Sequence, residues 1–189
     1  MARRRESVAG SRGTDVSRDV ILEAAGPADA PLLSNLLELY IHDLSAAFPD
    51  LEMGSDGRFG YSRLPLYWSQ PDRHFAFLIR CAGRVAGFVL ATRGSPAADD
   101  PTVLDIAEFF VLRRYRRSSV GRRAAFLIWK ALPGKWTVRA SEGNPDAVLF
   151  WADIITEFTN GAVIESTRPG KPNAWRVFSF ESATQRIAD

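Results

Sequence analysis

A glutamate, Glu108, stands inside one of the most apolar runs of the chain, Val103 to Leu112. In an extended strand Leu104, Ile106, Glu108, Phe110 and Leu112 alternate onto one face, which puts a carboxylate among hydrophobic neighbours. Such a carboxylate must be paired, reach solvent through a cleft, or have its pKa raised by desolvation. The last two suit a general base, and an ion pair with a nearby arginine is the structural alternative. Directly downstream, Arg113 to Arg123 reads Arg-Arg-Tyr-Arg-Arg-Ser-Ser-Val-Gly-Arg-Arg, six arginines without an acid. Val120, Ala124, Leu127, Ile128 and Ala131 follow at the spacing of one helix face. The turn therefore includes a helix N-terminus, where free N–H groups and the positive end of the macrodipole favour a phosphate or carboxylate. Arg122 and Arg123 oppose that dipole by roughly 0.3–1 kcal/mol each until an anion binds. Ser118 and Ser119 offer caps, and Gly121 leaves room for a ligand to approach the backbone. A basic, solvated helix start with a serine cap is the plainer reading of the same residues.

The elements that must position these groups follow from periodicity. Val20 to Leu22 begins a short strand that Gly26-Pro27 ends, and Leu33, Leu36, Leu37, Tyr40, Ile41 and Leu44 trace a helical stripe. A segment with Phe48, Phe59, Tyr61, Tyr67 and Trp68 among Gly, Asp and Ser comes next, and reads equally as a substrate pocket or as a lid on the core. His74 to Cys81 and Arg84 to Thr92 form a hairpin across Ala82-Gly83, and residues 94–102 make a loop into the Glu108 strand. Pro133-Gly134 ends the helix after the arginine turn, and Trp136 to Ala140 reads as a strand. Asn144-Pro145 opens a second helix, with Ala147, Trp151, Ile154, Ile155 and Phe158 on one face and Gly161 at its end. Val163 to Ser166 and Trp175 to Phe180 are the closing strands.

Composition narrows the function classes. The chain has 189 residues, 46% of them hydrophobic and 24% charged, as in an ordinary globular protein. The net charge is +2, and outside the arginine turn 18 basic residues face 22 acidic ones, so no broad nucleic-acid footprint is expected. One cysteine, Cys81, excludes an intrachain disulfide and fits a reducing compartment. Two histidines and no ligand-spaced cluster argue against a metal site. The basic start lacks the apolar stretch of a secretory signal, and no run has transmembrane length, so a cytoplasmic protein without a membrane role is expected. Residues 1–18, small and polar, read as a disordered basic tail ahead of one domain over residues 19–189.

Element order and motif residues together resemble the GNAT superfamily of acyl-CoA-dependent N-acetyltransferases. That family's phosphate signature, Gln or Arg, two residues, Gly, one residue, then Gly or Ala between a strand and a helix, is matched by Arg116-Arg117-Ser118-Ser119-Val120-Gly121. Its second hallmark, an Asn a few residues before Ala and then Phe-Tyr, is matched by Asn144, Ala147, Phe150 and Trp151. The likeness runs from about Val20 to Phe180, and the run Glu108 to Arg117 is similar to bacterial predicted acetyltransferases.

The resemblance implies an α+β fold, with a mixed, mostly antiparallel central sheet of six to seven strands flanked by about four helices. It implies acetyl-CoA as co-substrate and an amine acceptor, small molecule or peptide, that attacks the thioester directly. The strand end at Phe110, Val111 and Leu112 would pair with the pantetheine arm. N–H groups of Arg116, Arg117, Ser118, Ser119, Val120, Gly121 and Arg122 would hold the pyrophosphate, Asn144 would contact the pantetheine or acetyl end, and Glu108 falls near the family's base. Two positions depart from the pattern. Ser119 stands where the first motif glycine lies, and Trp151 where many members carry a tyrosine that protonates the thiolate, a task that would pass to Tyr115 or water. The departures motivate a second reading, a GNAT-fold acyl-CoA binder that acts as sensor or scaffold without turnover. Asp43, Glu52 and Asp56 are candidates to attract a cationic amine. Relatives often pair through their last strands, which leaves a homodimer open.

Overall fold

The computed structural model describes residues 19–183, and the tail expected over residues 1–18 lies outside them. In chain order the elements are β1 (Val20–Ala24), α1 (Ala30–Leu44), α2 (Leu66–Ser69), β2 (His74–Cys81), β3 (Arg84–Arg93), β4 (Leu104–Val111), α3 (Val120–Ala131), β5 (Gly134–Ser141), α4 (Pro145–Thr159), β6 (Ile164–Arg168) and β7 (Trp175–Ser182). Every element read from periodicity is present. The single helical turn α2 is additional, inside the aromatic segment, where four residues are too few to show a period. Pro27 opens a 3-10 turn, Pro27–Asp29, that leads into α1.

The strands form one sheet in the order β1-β2-β3-β4-β5-β7-β6. All neighbours are antiparallel except β4 and β5, which are parallel. Helices cover both faces. Ala124, Ile128 and Trp129 of α3 and Trp151 and Ile155 of α4 fill a core against Leu104, Ile106, Trp136 and Val138. On the opposite face Leu33 and Leu37 of α1 and Tyr67 of α2 pack on Leu78, Phe88, Leu90 and Phe110. This is the expected α+β arrangement of seven strands and four helices.

Two irregularities in the middle of the sheet shape the site. Leu90 lies opposite Glu108 and Ala91 opposite Ile106, so Ala107 is an extra residue without a partner in β3, a β-bulge. The bulge corrects the simple alternation read from sequence. Leu104 and Ile106 face the α3/α4 core, whereas Phe110 belongs to the α1/α2 core and Leu112 packs against it. Glu108 shares the Phe110 side, turned away from Leu104 and Ile106.

The second irregularity is the parallel pair itself. β4 and β5 are joined only at Leu104 with Trp136 and Asp105 with Thr137. Beyond these pairs the strands splay, and the β4 edge that faces β5 has no strand partner. β5 stays fully paired with β7 on its other side. On the β3 side the backbones approach so closely that a Cβ at Gly87 would overlap the Phe110 carbonyl oxygen.

Candidate active site

Glu108 is held by two tyrosines. Tyr40 of α1 donates its hydroxyl to Oε2 at 2.7 Å, and Tyr61 donates to Oε1 at 3.1 Å. The ion pair weighed for this carboxylate is absent among the described residues, and phenols take its place. Burial raises the Glu108 pKa above the ordinary carboxylate range, and the two tyrosine bonds oppose that rise without cancelling it. Burial, helped by the neighbouring carboxylate, also pushes the Tyr40 and Tyr61 hydroxyls upward, so both remain neutral donors.

Tyr61 reaches Glu108 because α1 grips the loop that carries it. Glu38 accepts the Phe59 N–H at 2.7 Å and the Gly60 N–H at 3.2 Å, and its pKa is lowered chiefly by the Phe59 bond. Arg58 adds a bond from Nε at 3.3 Å. The aromatic segment thus both covers the core and lines a cavity. Tyr67 is a core residue, 5% exposed, yet Tyr61 and Tyr67 also line a cavity.

That cavity has a volume of about 330 Å³ and opens beside the strand splay, since Ala107 and Arg139 on its wall lie just past the last β4–β5 pair. A buried network braces the wall. Asp105, 0% exposed, accepts from Ser95 Oγ at 3.0 Å, Thr137 Oγ1 at 2.9 Å and Arg139 Nε at 3.1 Å through one oxygen, and from a terminal Arg139 nitrogen at 2.8 Å through the other. The bidentate contact fixes Arg139 at the cavity. Neither Asp105 nor Arg139 stands out from sequence; only the parallel pairing of β4 with β5 brings them together.

The arginine turn lies at the other end of β4. A 3-10 turn, Arg113–Tyr115, precedes α3, and Arg117 and Ser119 take left-handed backbone at φ 57° and 62°. The Arg116 N–H is used by the Arg113 carbonyl and the Arg123 N–H by the Ser119 carbonyl. Between them the N–H groups of Arg117, Ser118, Ser119, Val120, Gly121 and Arg122 have no acceptor among the described residues. Consecutive free N–H groups in a turn with left-handed residues form an anion-binding concavity at the positive end of α3.

Side chains at this turn differ from expectation in several ways. Neither serine caps α3, since Ser119 makes no cap bond and Ser118 Oγ donates to the Tyr115 carbonyl at 2.6 Å. Arg116 donates to the Val111 carbonyl at 2.7 Å and to Asp43 at 2.6 Å, and Arg113 reaches Asp43 at 2.8 Å. Burial pushes Asp43 upward, but the bonds from the two arginines outweigh it and leave its pKa lowered. Asp43 is therefore committed to this turn and is not an open site for a cationic amine. Asp56 accepts the Arg58 N–H at 3.2 Å, within its own loop. Arg122 is bidentate to Glu157, with Nε at 2.6 Å, and lies over the Phe126 ring at 4.6 Å. Arg117 has no side-chain partner among the described residues. Gly121 serves packing rather than ligand approach, since a Cβ there would stand 3.2 Å from Phe150 Cζ.

Ser119 explains the glycine preference at its position. Left-handed backbone costs an L-residue roughly 1–2 kcal/mol, and glycine returns about 0.5–1 kcal/mol of that in chain entropy. Ser119→Gly is therefore expected to raise the melting temperature by a few degrees, as a thermal scan of the two proteins would show.

Asn144, Trp151 and the strand end complete the placement of the expected residues. Asn144 caps α4, its Oδ1 accepting the Ala147 N–H at 3.2 Å, at the end of β5. Trp151 is 6% exposed, edge-on to Phe109 at 5.0 Å and tilted on Trp129 at 6.3 Å. It is a core aromatic. Phe110 pairs with Phe88 and Val111 with Gly87 in β3. The Leu112 N–H is taken by the Ala86 carbonyl and the Val111 carbonyl by Arg116, so this end of β4 has fewer open groups than expected.

No protein-family model and no curated protein matches this chain. Solved structures do match in shape. An acetyltransferase from Thermus thermophilus superposes with a TM-score of 0.62 at 16% identity, over 86% of this chain and 96% of that one. The spermidine N-acetyltransferase of Vibrio cholerae, in complex with CoA and spermine, gives 0.60 at 13% identity, over 87% and 96%. A GNAT-family acetyltransferase from Bacillus cereus gives 0.56 at 14% identity, over 87% and 98%. With its splayed parallel pair and its helix-start concavity, this chain has the fold of the GNAT acetyltransferases.

Proposed function

We propose that the chain transfers an acetyl group from acetyl-CoA to an amine. The observation that carries this reading is the run of six open N–H groups, Arg117 to Arg122, at the start of α3. It suits a pyrophosphate, and the β4–β5 gap leads from it toward the cavity beside Glu108 and Tyr61. Acetyl-CoA would bring the activated carbonyl, and Arg117 a charge-assisted contact to phosphate. The acceptor amine would enter from the cavity side. Its nitrogen forms the new C–N bond as the C–S bond breaks. The amine proton passes to the Tyr61 oxygen as Tyr61 gives its own to Glu108, a relay that the 3.1 Å bond is placed to support. The departing thiolate takes its proton from water, since Trp151 has no acidic proton to give.

Arg117 provides the direct test of cofactor placement. Arg117→Glu is expected to raise the acetyl-CoA dissociation constant by about 10- to 100-fold, the worth of a charged hydrogen bond. Arg122→Glu is expected to do less, because Arg122 is already spent on Glu157. Titration calorimetry with acetyl-CoA reads both, and equal affinities for wild type and Arg117→Glu would move the phosphates elsewhere.

A second reading, acyl-CoA binding without turnover, is favoured by one observation, the burial of Trp151 in place of an acid. Tight acetyl-CoA binding with no thiol release across a broad amine panel would establish it.

A further inference from the structure

We infer that the acceptor is a small amine that also carries a carboxylate or phosphate group, held by the arginines of the cavity; this rests on the transferase reading. Arg63, Arg73 and Arg139 line the cavity against a single acid, Asp105, whose oxygens are already bonded to Arg139, Ser95 and Thr137. Arg63, Arg73 and Arg93 have no carboxylate partner among the described residues. Arg58, Arg80 and Arg122, by contrast, are each paired with a glutamate. The rim arginines are also organised. The Arg93 N–H donates to the Arg73 carbonyl at 2.8 Å and so fixes the Arg73 backbone, while the Arg93 guanidinium lies over the Phe75 ring on the α3/α4 side of the sheet.

A concave wall on which Arg63 and Arg73 are unpaired, and whose one acid is already spent on Arg139, repels a polyamine and attracts an oxyanion. The same field favours the neutral form of an amine bound nearby, which is the nucleophilic form. The cofactor's phosphates do not account for these arginines. They would sit at the start of α3, past the far end of β4, and Ala107 to Leu112 alone spans roughly 16 Å of extended chain. A cavity of about 330 Å³ suits an acceptor the size of an amino acid.

The test is calorimetric titration of the full chain, with coenzyme A present, by pairs of amines that differ only in their acidic groups. L-glutamate is set against its diamide, O-phosphoethanolamine against ethanolamine, and spermine stands alone. We expect at least one anionic member to bind 10-fold or more tightly than its counterpart without the acidic groups and than spermine. Which pair shows the effect tells carboxylate from phosphate. Arg63→Gln/Arg73→Gln is expected to abolish the preference while leaving coenzyme A affinity unchanged, and Arg63→Gln alone, at an exposed residue, serves if the double variant does not fold. Equal affinity within both pairs, tighter binding of spermine, no binding of either anionic amine, or a preference that survives the arginine variants would overturn the inference. Thiol release from acetyl-CoA over the same panel separates the two claims. Oxyanion binding without transfer removes the transferase reading and keeps the pocket assignment, whereas transfer to spermine in preference does the reverse.

Discussion

Glu108→Gln is expected to lower acetyl transfer by about 10²- to 10⁴-fold, the usual worth of a general base, with acetyl-CoA affinity unchanged. The substitution keeps an oxygen that can accept from one tyrosine and adds an amide N–H that the other hydroxyl can accept, so the pair Tyr40 and Tyr61 stays satisfied. The loss should therefore appear in kcat and leave the melting temperature within a few degrees of wild type. The pH profile sharpens the assignment. Because burial raises the Glu108 pKa in the folded chain, the active carboxylate forms only above the ordinary glutamate value of about 4.3, and activity rises with pH through a limb displaced upward from it. Stability runs the opposite way. The unfolded chain ionises Glu108 more readily, so this residue's contribution is greatest below the unfolded pKa and declines as pH rises through the raised folded one. Glu108→Gln should erase both slopes. Wild-type turnover, or a limb that survives in the variant, would remove Glu108 from the reaction.

Asp105→Ala is expected to destabilise the fold by about 3–5 kcal/mol, the cost of removing one member of a buried ion pair, and to lower the melting temperature on the order of 10 °C. Asp105 is fully buried and answers Ser95, Thr137 and Arg139 at once, so the truncation leaves the Arg139 guanidinium without its carboxylate, while the Ser95 and Thr137 hydroxyls keep only each other and backbone partners. Asp105 also sits at the last residue pair before β4 and β5 part. Asp105→Asn keeps an acceptor and should recover about half of the loss. Denaturant melts of the three proteins rank them, and a melting temperature for Asp105→Ala within about 2–3 °C of wild type would show that the network is dispensable.

The strands and long helices were legible because each is an ordinary case of a local rule. Asn144-Pro145 starts α4 by capping it, and Ala82-Gly83 turns a hairpin with both residues at positive φ. The arginine turn was legible as an anion site through its place between strand and helix. Its side chains were not, because the partners of Arg116 and Arg122 are Asp43 and Glu157, more than thirty residues away in the chain. The face taken by Glu108 was misread for a related reason. Alternation counts residues, and a bulge adds one where β3 and β4 fail to match, which no pattern within β4 alone reveals. The tyrosines on Glu108 were visible only as members of an apolar stripe and an aromatic loop, and the cavity joins Arg63, Arg73 and Arg139 from three separate segments.

The bulge also decides where this chain can tolerate a change of length. Loss of any residue of β4 outside the bulge pair Ala107 and Glu108 would carry the side chains on one flank to the wrong layer. Excision of Ala107 would leave Ile106 followed by Glu108, and every side chain would keep its layer. Excision of Glu108 would keep the layers as well but would remove the carboxylate, so at Ala107 neither the hydrophobic pattern nor the site opposes a deletion, and the cost would fall on the local geometry beside the cavity. Natural variation in the length of this strand should therefore concentrate at residue 107, and homologous sequences aligned without a gap there would set their acids and aromatics against the wrong neighbours.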